Sequence, residues 1–391
     1  MIYIVSLLLC LYLVWMYDIL GYTKNKWHWY YLLMAWFIAV SGFQYMVGTD
    51  ILTYMEEYNE WYDQLRFDVG DIEGKRQPGW VLLCYGCRLI THDFTLLKMI
   101  QATFVNVAIF LFFKRESKYV FFCVFLYAIT SYLLINFNIL RQGFALGFVL
   151  YSISYLKRKR YFISAICFIM AYMFHNSALV ALVIPLFVLL KYNEKMAFLM
   201  VGVTIILIYV IFKIDMNSFL GSILDEKYLG DDISELGNIY VKSDRLGVQD
   251  AKMGYVLYAK IFLIVLIVLY YLKKYKDFFI GGFGFLYLLS IAFSSILPIA
   301  FRFGSYFEIP FFIILSTVII EFPQGRLKHI QYLFYVIAII FYSLFPYRDY
   351  SQRYSGSPYR YIDQYYPYHS ILEPDVEEEI DHKKIQYFRF I

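Results

Sequence analysis

Long apolar runs separated by short polar breaks recur along most of the chain. They cover about residues 2–17, 29–47, 95–113, 119–136, 138–156, 161–174, 177–190, 196–213, 254–272, 278–297, 303–320 and 329–346. A helix that crosses a bilayer needs about 20 mostly apolar residues, so each run predicts a membrane-spanning helix. The run from Gly79 to Ile90 is different. It opens at Pro78-Gly79, is short, and carries Arg88 near its end. Runs of about 10–14 residues tend to be re-entrant or interfacial. A full crossing there would also put the Lys114 loop on the wrong side. The pattern therefore predicts an all-α polytopic membrane protein with about twelve transmembrane helices and one re-entrant segment. The first run lacks a basic leader and a small-residue cleavage site, so it is expected to stay as a helix.

Loop charge orients this scheme. Lys24 and Lys26, Lys114-Arg115 with Lys118, Lys157-Arg158-Lys159-Arg160, Lys191 with Lys195, Lys273-Lys274 with Lys276, and Arg326 with Lys328 all fall in alternate loops. Basic short loops face the cytoplasm, so the long loops 48–77 and 214–253 are expected outside, with both termini. Loop 48–77 holds eight acids (Asp50, Glu56, Glu57, Glu60, Asp63, Asp68, Asp71, Glu73) against Arg66, Lys75 and Arg76, which makes it acidic. The expected organisation is a transmembrane domain over 1–346 and a tail over 347–391. The tail has many tyrosines, among them Tyr347, Tyr350, Tyr354, Tyr359, Tyr361, Tyr365, Tyr366 and Tyr368, and no run long enough to cross. Its rings suit either stacking on sugar faces or an interfacial aromatic belt.

Composition narrows the function classes. Residues of hydrophobic type make up 61% of the chain, against about half in a soluble domain, and the excess sits in the long runs. A soluble enzyme is excluded. The net charge is only +4 and is spread over short loops, which argues against a nucleic-acid partner. Cys10, Cys84, Cys87, Cys123 and Cys167 lie mostly within apolar runs. Cys84-Tyr85-Gly86-Cys87 has CxxC spacing but no second pair, so these read as packing residues. No HxxxH or HExxH spacing occurs. Neither a metal site nor a cofactor is expected.

The remaining polar residues cluster at the end of the runs opposite the basic loops. Polar groups at membrane depth are costly and tend to be functional. Asn138, Arg141, Gln142 and Ala145 would share one helix face. Arg141 suits phosphate oxygens through its paired donors, or alternatively anchors to lipid headgroups. His175 sits at a turn between two runs, where an imidazole either relays a proton, donates a hydrogen bond, or serves as a turn residue beside capping Asn176 or Ser177. A rate controlled by His175 would change near the ordinary histidine pKa of about 6.5. Gly48-Thr49-Asp50 opens the acidic loop, with Asp50 as a group that orients or deprotonates a hydroxyl, or with Thr49 or Asp50 as a helix cap. Gln77-Pro78-Gly79 marks the re-entrant turn. Arg302 is either a second phosphate clamp or the ion-pair partner of Glu308. Tyr306 lies one turn beyond it.

With these residues in order, the chain resembles the EpsG family of Wzy-like polysaccharide polymerases. The resemblance rests on Gly48-Thr49-Asp50 with Tyr54, then Gln77-Pro78-Gly79, then Asn138 with Arg141-Gln142, a basic loop, and Ala171, His175, Ser177 and Ala178. It continues more weakly through Arg302, Tyr306 and Pro310, and spans about residues 30–320. Two positions depart from the common pattern. Gln44 stands where an arginine is usual before Gly-Thr-Asp, and Gln77 stands where a glutamate is usual before Pro-Gly.

The resemblance implies a GT-C-like membrane glycosyltransferase that needs no metal. Such an enzyme joins oligosaccharide repeat units carried on undecaprenyl diphosphate at the outer face of the bacterial cytoplasmic membrane, in capsule, exopolysaccharide or O-antigen synthesis. It would have Asp50, Arg141 and His175 as catalytic residues. Thr49, Tyr54, Gln77, Asn138, Gln142, Arg302 and Tyr306 would bind substrate. Beyond the lipid-linked oligosaccharide and the bilayer, a chain-length regulator or flippase is the protein partner it points to. Competing readings are a transporter or flippase, for which matching broken helices would be needed, an O-antigen ligase or acyltransferase, and a non-catalytic assembly protein.

Overall fold

A computed structural model describes residues 2–71, 74–190, 193–214, 255–297, 300–322, 329–330, 333 and 360–373. The expected loop 214–253, nearly all of the run 329–346, and the tail outside 360–373 lie beyond the described residues. Helices dominate, in chain order. The first is α1 (Ile2–Leu13), which continues as a π-helical turn Val14–Ile19, followed by α2 (Lys26–Gly42) and α3 (Ile51–Trp61). Two-residue strands β1 (Gly70–Asp71) and β2 (Gly74–Lys75) pair antiparallel. Then come α4 (Pro78–Arg88), α5 (Phe94–Glu116), α6 (Val120–Thr130), a π-helical segment Leu134–Asn138, α7 (Leu140–Lys157) and α8 (Tyr161–Phe174). A 3-10 segment Asn176–Val183 leads into α9 (Ile184–Leu189), and α10 (Glu194–Lys213), α11 (Tyr255–Tyr275), α12 (Phe278–Ile296) and α13 (Phe301–Glu321) complete the described bundle.

Five of these helical stretches are long and apolar enough to cross a membrane: Ile2–Ile19, Phe94–Glu116, Glu194–Lys213, Phe278–Ile296 and Phe301–Glu321. Many other apolar runs are helical but shorter or interrupted. The run 29–47 stops being helical at Gly42, because Phe43 to Gly48 instead pair with residues 364–371. The run 177–190 is broken into a 3-10 turn and a six-residue helix with Pro185 in its first turn, where the ring's fixed φ suits a helix start. The run 119–136 splits at Ser131 into α6 and the π-helical segment.

The expected non-crossing segment is α4. Its 11 residues rise about 16 Å, half the hydrocarbon thickness. Both ends of α4 are tied to α3 and the turn that follows it. Just before its start, Arg76 pairs with Glu57, and both side chains are buried. At its end Arg88 reaches Asp63 Oδ1 at 2.7 Å and the Asn59 carbonyl at 3.1 Å. α3 and α4 therefore form a short helical hairpin.

α7 lies at the centre, packed between α8 and α5, with the 3-10 segment and α13 also against it. α2 packs on α5, and α12 on α13. The far end of α7 belongs to a connected set of charges. Lys157 Nζ is 3.1 Å from Glu116 and 3.6 Å from Asp277, and Arg158 is 3.1 Å from Glu116. Glu321 joins Lys118 at 3.1 Å and Lys274 at 2.8 Å. Lys114 lies over the Trp27 ring at 4.8 Å, and Asp18 pairs with Lys26 at 3.6 Å while capping α6 through the Phe122 N–H at 2.8 Å. The loops around Lys26, Lys114, Lys157 and Lys274 therefore meet at one end of the bundle. α7 leads away from that end to Arg141, about 24 Å from Lys157 along the helix.

Candidate functional site

Asp50, Tyr54, Ile139, Arg141, Gln142, His175 and Arg302 line one small, partly open cavity. These residues come from the start of α3, the start of α7, the turn after α8 and the start of α13. Four chain segments, far apart in sequence, thus meet at the end opposite the basic loops.

The arginines are set differently. Arg141 is buried on the first turn of α7. Its Nη1 donates to Gln77 Oε1 at 3.2 Å, and its guanidinium lies 6.0 Å from the centre of the Tyr54 ring. Arg302 is half-buried at the start of α13. Its Nε is enclosed and has no hydrogen-bond partner among the described residues. The expected alternative of an Arg302–Glu308 ion pair is not what forms. Glu308 instead accepts from Ser131 and from Tyr287, the latter at 3.0 Å. Gln142 anchors α7 to α13 by donating Nε2 to Ser305 Oγ at 2.7 Å and to the Arg302 carbonyl. Its Oε1 is likewise enclosed with no partner among the described residues. An enclosed donor and an enclosed acceptor on the wall of one cavity cost free energy unless a ligand meets them.

His175 is the cap residue between α8 and the 3-10 segment. The Ser177 N–H donates to His175 Nδ1 at 3.1 Å. A backbone N–H is only a donor, so Nδ1 holds a lone pair and the neutral ring carries its proton on Nε2. Ser177 Oγ lies 2.7 Å from the same nitrogen and 2.9 Å from Tyr306 OH, which extends the chain of bonds that fixes this tautomer. Burial first, and then the Arg141 and Arg302 guanidiniums, hold the imidazole well below its ordinary pKa. His175 therefore presents a neutral N–H to the cavity. A role as general base does not fit this geometry. A rate controlled by His175 would then change below pH 6.5, because protonation is pushed to lower pH. Ser177 is not the cap; it donates to the cap.

Gly48-Thr49-Asp50 enters the site by a sharp backbone turn. Gly48 has φ +110°, and a Cβ there would sit 2.5 Å from the Phe137 carbonyl oxygen and 2.6 Å from Asn138 Oδ1. Only glycine fits such a position. Thr49 Oγ1 donates to Asp50 Oδ1 at 2.9 Å, so Thr49 orients the carboxylate from outside the cavity wall. Asp50 occupies the N-cap position of α3 without a side-chain capping bond, which leaves its carboxylate on the cavity. Gly79 makes a second close approach. A Cβ there would lie 2.7 Å from the Met173 carbonyl oxygen, which brings the start of α4 and Gln77 against the end of α8.

Asn138 departs from the face expected for it. Leu134–Asn138 is π-helical and Ile139 has φ −94° and ψ 59°, so the register breaks before Leu140. Asn138 turns away from Arg141 and spends its amide on Thr49 N, Gln364 and Tyr365. Ile139 takes the place on the cavity wall. Tyr306 is fully buried and acts on Ser177 instead of lining the cavity. Of the ten residues singled out, six line the cavity, namely Asp50, Tyr54, Arg141, Gln142, His175 and Arg302. Gln77, Thr49 and Tyr306 each bond to a lining residue or its partner, and Asn138 supports the Thr49 backbone. The buried Glu57–Arg76 pair, just behind Arg141, was not anticipated. Among the described residues no group of three or more metal-ligating side chains occurs.

Fold and site together define an all-helical membrane protein with an arginine-bearing polar cavity at one end of its bundle. The chain belongs to the EpsG family, whose model matches residues 27–370. The match runs past the stretch expected from motifs and takes in residues 360–370. No curated protein and no solved structure matches the chain.

Proposed function

We propose that this protein is a polysaccharide polymerase that joins undecaprenyl-diphosphate-linked oligosaccharide repeat units at the outer face of the bacterial cytoplasmic membrane. On this reading the chain crosses the membrane about twelve times in a GT-C-like arrangement, with the basic loops in the cytoplasm. One observation carries the proposal. The cavity opposite the basic loops joins Arg141, Arg302, a neutral His175 N–H and the Asp50 carboxylate. That is a set of donors for an anion beside an acceptor for a hydroxyl proton.

In the reaction, an acceptor sugar hydroxyl attacks the anomeric carbon of the donor unit. A glycosidic C–O bond forms there, and the bond from that carbon to the diphosphate oxygen breaks. The hydroxyl proton passes to Asp50 or to the departing diphosphate. Arg141 and Arg302 balance the charge that develops on the leaving group, a stabilisation worth about 2.7–4 kcal/mol for one well-placed donor. His175 Nε2–H adds a neutral donor. Trp80 is buried 5.5 Å by ring centres from Tyr54 and packs behind that lining residue rather than forming an open sugar platform with it.

Purified protein in proteoliposomes, given lipid-linked repeat units, should yield a ladder of polymer on a gel. Transfer of a single unit to another acceptor would indicate a ligase, and movement of the lipid without a new bond would indicate a flippase. Asp50→Asn separates the two proton routes, since near-normal turnover would place the proton on the diphosphate. Topology has its own check: cysteines placed in 55–70 should react with an impermeant reagent on intact cells, and those in 157–160 should not.

A further inference from the structure

Residues 360–373 contain no run able to cross a membrane, yet they are built into the site end of the bundle. Gln44 and Ser370 form an antiparallel bridge. The Tyr45 N–H donates to the His369 carbonyl at 2.9 Å, the Ile371 N–H to the Phe43 carbonyl at 2.9 Å, and the Gly48 N–H to the Gln364 carbonyl at 3.0 Å. Tyr368 OH reaches back to the Val40 carbonyl at 3.0 Å. The stretch from Phe43 to Gly48, which leads into Asp50, therefore finds its backbone partners in the C-terminal segment.

Side chains close the arrangement. Asn138 Nδ2 donates to Gln364 Oε1 at 3.1 Å and to Tyr365 OH at 2.9 Å, while its Oδ1 accepts the Thr49 N–H at 3.3 Å. One amide thus joins the segment before α7, the loop before α3 and the C-terminal segment. Tyr365 is buried, with its ring edge-on to Phe137 at 6.3 Å. Its hydroxyl and face are spent inside the protein, so this tyrosine is not a stacking surface for sugar. Gly48 has no space for a Cβ between Phe137 and Asn138, so the loop is gripped on one side by the π-helical segment and on the other by residue 364.

We propose that residues 360–373 form a strap that positions the Gly48-Thr49-Asp50 loop on the cavity, with Gln364 and Tyr365 as positioning residues that act through Asn138. The loop cannot be held by local structure alone. Gly48 sits in a conformation that most residues avoid, and Asp50 has no side-chain capping bond. Removal of the strap's hydrogen bonds should loosen Asp50 while leaving Arg141 and Arg302, which sit on α7 and α13, in place. The catalytic consequence rests on the polymerase reading; the structural one does not.

The test uses full-length protein and two readouts. Hydrogen exchange of peptides spanning residues 43–50 should be slow in the wild type. It should speed up about tenfold in Tyr365→Phe and in Gln364→Leu, the scale of one lost hydrogen bond, with α7 peptides unchanged. In the polymer assay, the same variants should lose about tenfold in kcat while the KM for the lipid-linked donor stays within about twofold. Gln364→Glu keeps an acceptor for Asn138 and should restore both readouts. Asn138→Ala combined with Tyr365→Phe should be no worse than Asn138→Ala alone, since they share one contact. Fast exchange at 43–50 in the wild type, or unchanged exchange in every strap variant, would overturn the strap. If exchange responds as expected while the wild type makes no polymer, the strap stands and the polymerase reading falls.

Discussion

At one end of the bundle, Lys157 stands 3.1 Å from Glu116, Lys118 stands 3.1 Å from Glu321, and Lys274 stands 2.8 Å from the same carboxylate. At the other end, Arg302 has an enclosed Nε with no partner among the described residues, and Arg141 leans on the Gln77 amide and the Tyr54 ring. Both ends are cationic, but the first balances its cations with carboxylates from neighbouring loops. The second sets them among amides, hydroxyls and rings, with the Asp50 carboxylate on the same cavity wall. An exposed pair such as Lys118–Glu321 contributes about 0–1 kcal/mol, and the pairs at the basic end join neighbouring loops. A half-buried guanidinium whose Nε lacks a partner is costly until an anion arrives. The contrast is between cations tied to neighbouring loops and cations that line a cavity.

The comparison breaks first at Arg302. Arg302→Gln and Arg141→Lys should each lower polymer turnover about 10²–10³-fold, because a donor to the leaving group or the bidentate fork is lost. Protein level in the membrane should stay near normal. A variant that keeps full turnover would show that its arginine serves structure alone.

Gly48→Ala comes next. The new Cβ meets the Phe137 carbonyl oxygen at 2.5 Å in a left-handed backbone region. Strain of this kind costs about 1–3 kcal/mol. Thermal unfolding in detergent should fall by a matching amount, and turnover per folded molecule should drop as Asp50 shifts. Equal stability and turnover would mean that the loop adapts and the tight approach is unimportant.

His175 sharpens the electrostatic half of the contrast. Its pKa is depressed by burial and by the neighbouring arginines, so the neutral donor persists as pH falls through about 6.5, the ordinary histidine value. Wild-type turnover should therefore hold through that range and decline only at lower pH. Protonation would also force a second N–H against the Ser177 N–H. His175→Gln should cost about 5–100-fold, the loss of one hydrogen bond to a charged group, with no new pH dependence. His175→Asn, which does not place a donor at the Nε2 position, should cost more. A rate that falls in step with a group of pKa near 6.5 would restore His175 as a base.

Much of this contrast was legible in the sequence. Arg141, His175, Asp50 and Arg302 stand out because charged or titratable groups break long apolar runs, and loop lysines placed them on the same side. The short helix within the Gly79–Ile90 run was legible from Pro78-Gly79 at its start and Arg88 near its end. Asn138 was misread because helical periodicity assumes an unbroken register, and the π-helical segment with non-helical Ile139 breaks it. The strap was illegible because its bonds are made by backbone amides more than 300 residues apart in sequence, which no local pattern encodes. The interrupted run 177–190 shows the same limit. Pro185 marks a helix start, but the 3-10 turn before it depends on packing against α7 and α13. The tautomer of His175 likewise depended on where the Ser177 N–H points, not on spacing.

The smallest effect belongs to the basic end. Lys118 is largely exposed beside Glu321. Lys118→Gln should change stability by no more than about 1 kcal/mol and leave turnover per folded protein unaltered. A large loss of activity there would blur the distinction between the two ends.

The most direct measurement sets one neutralised charge at each end in the same assay. Proteoliposomes with wild type, Lys157→Gln and Arg302→Gln, matched for folded protein, are given lipid-linked repeat units and scored for polymer ladder. The two-ended account predicts a wild-type ladder from Lys157→Gln and almost none from Arg302→Gln. A full ladder from Arg302→Gln would contradict it, since the cavity's enclosed guanidinium would then have no part in the chemistry.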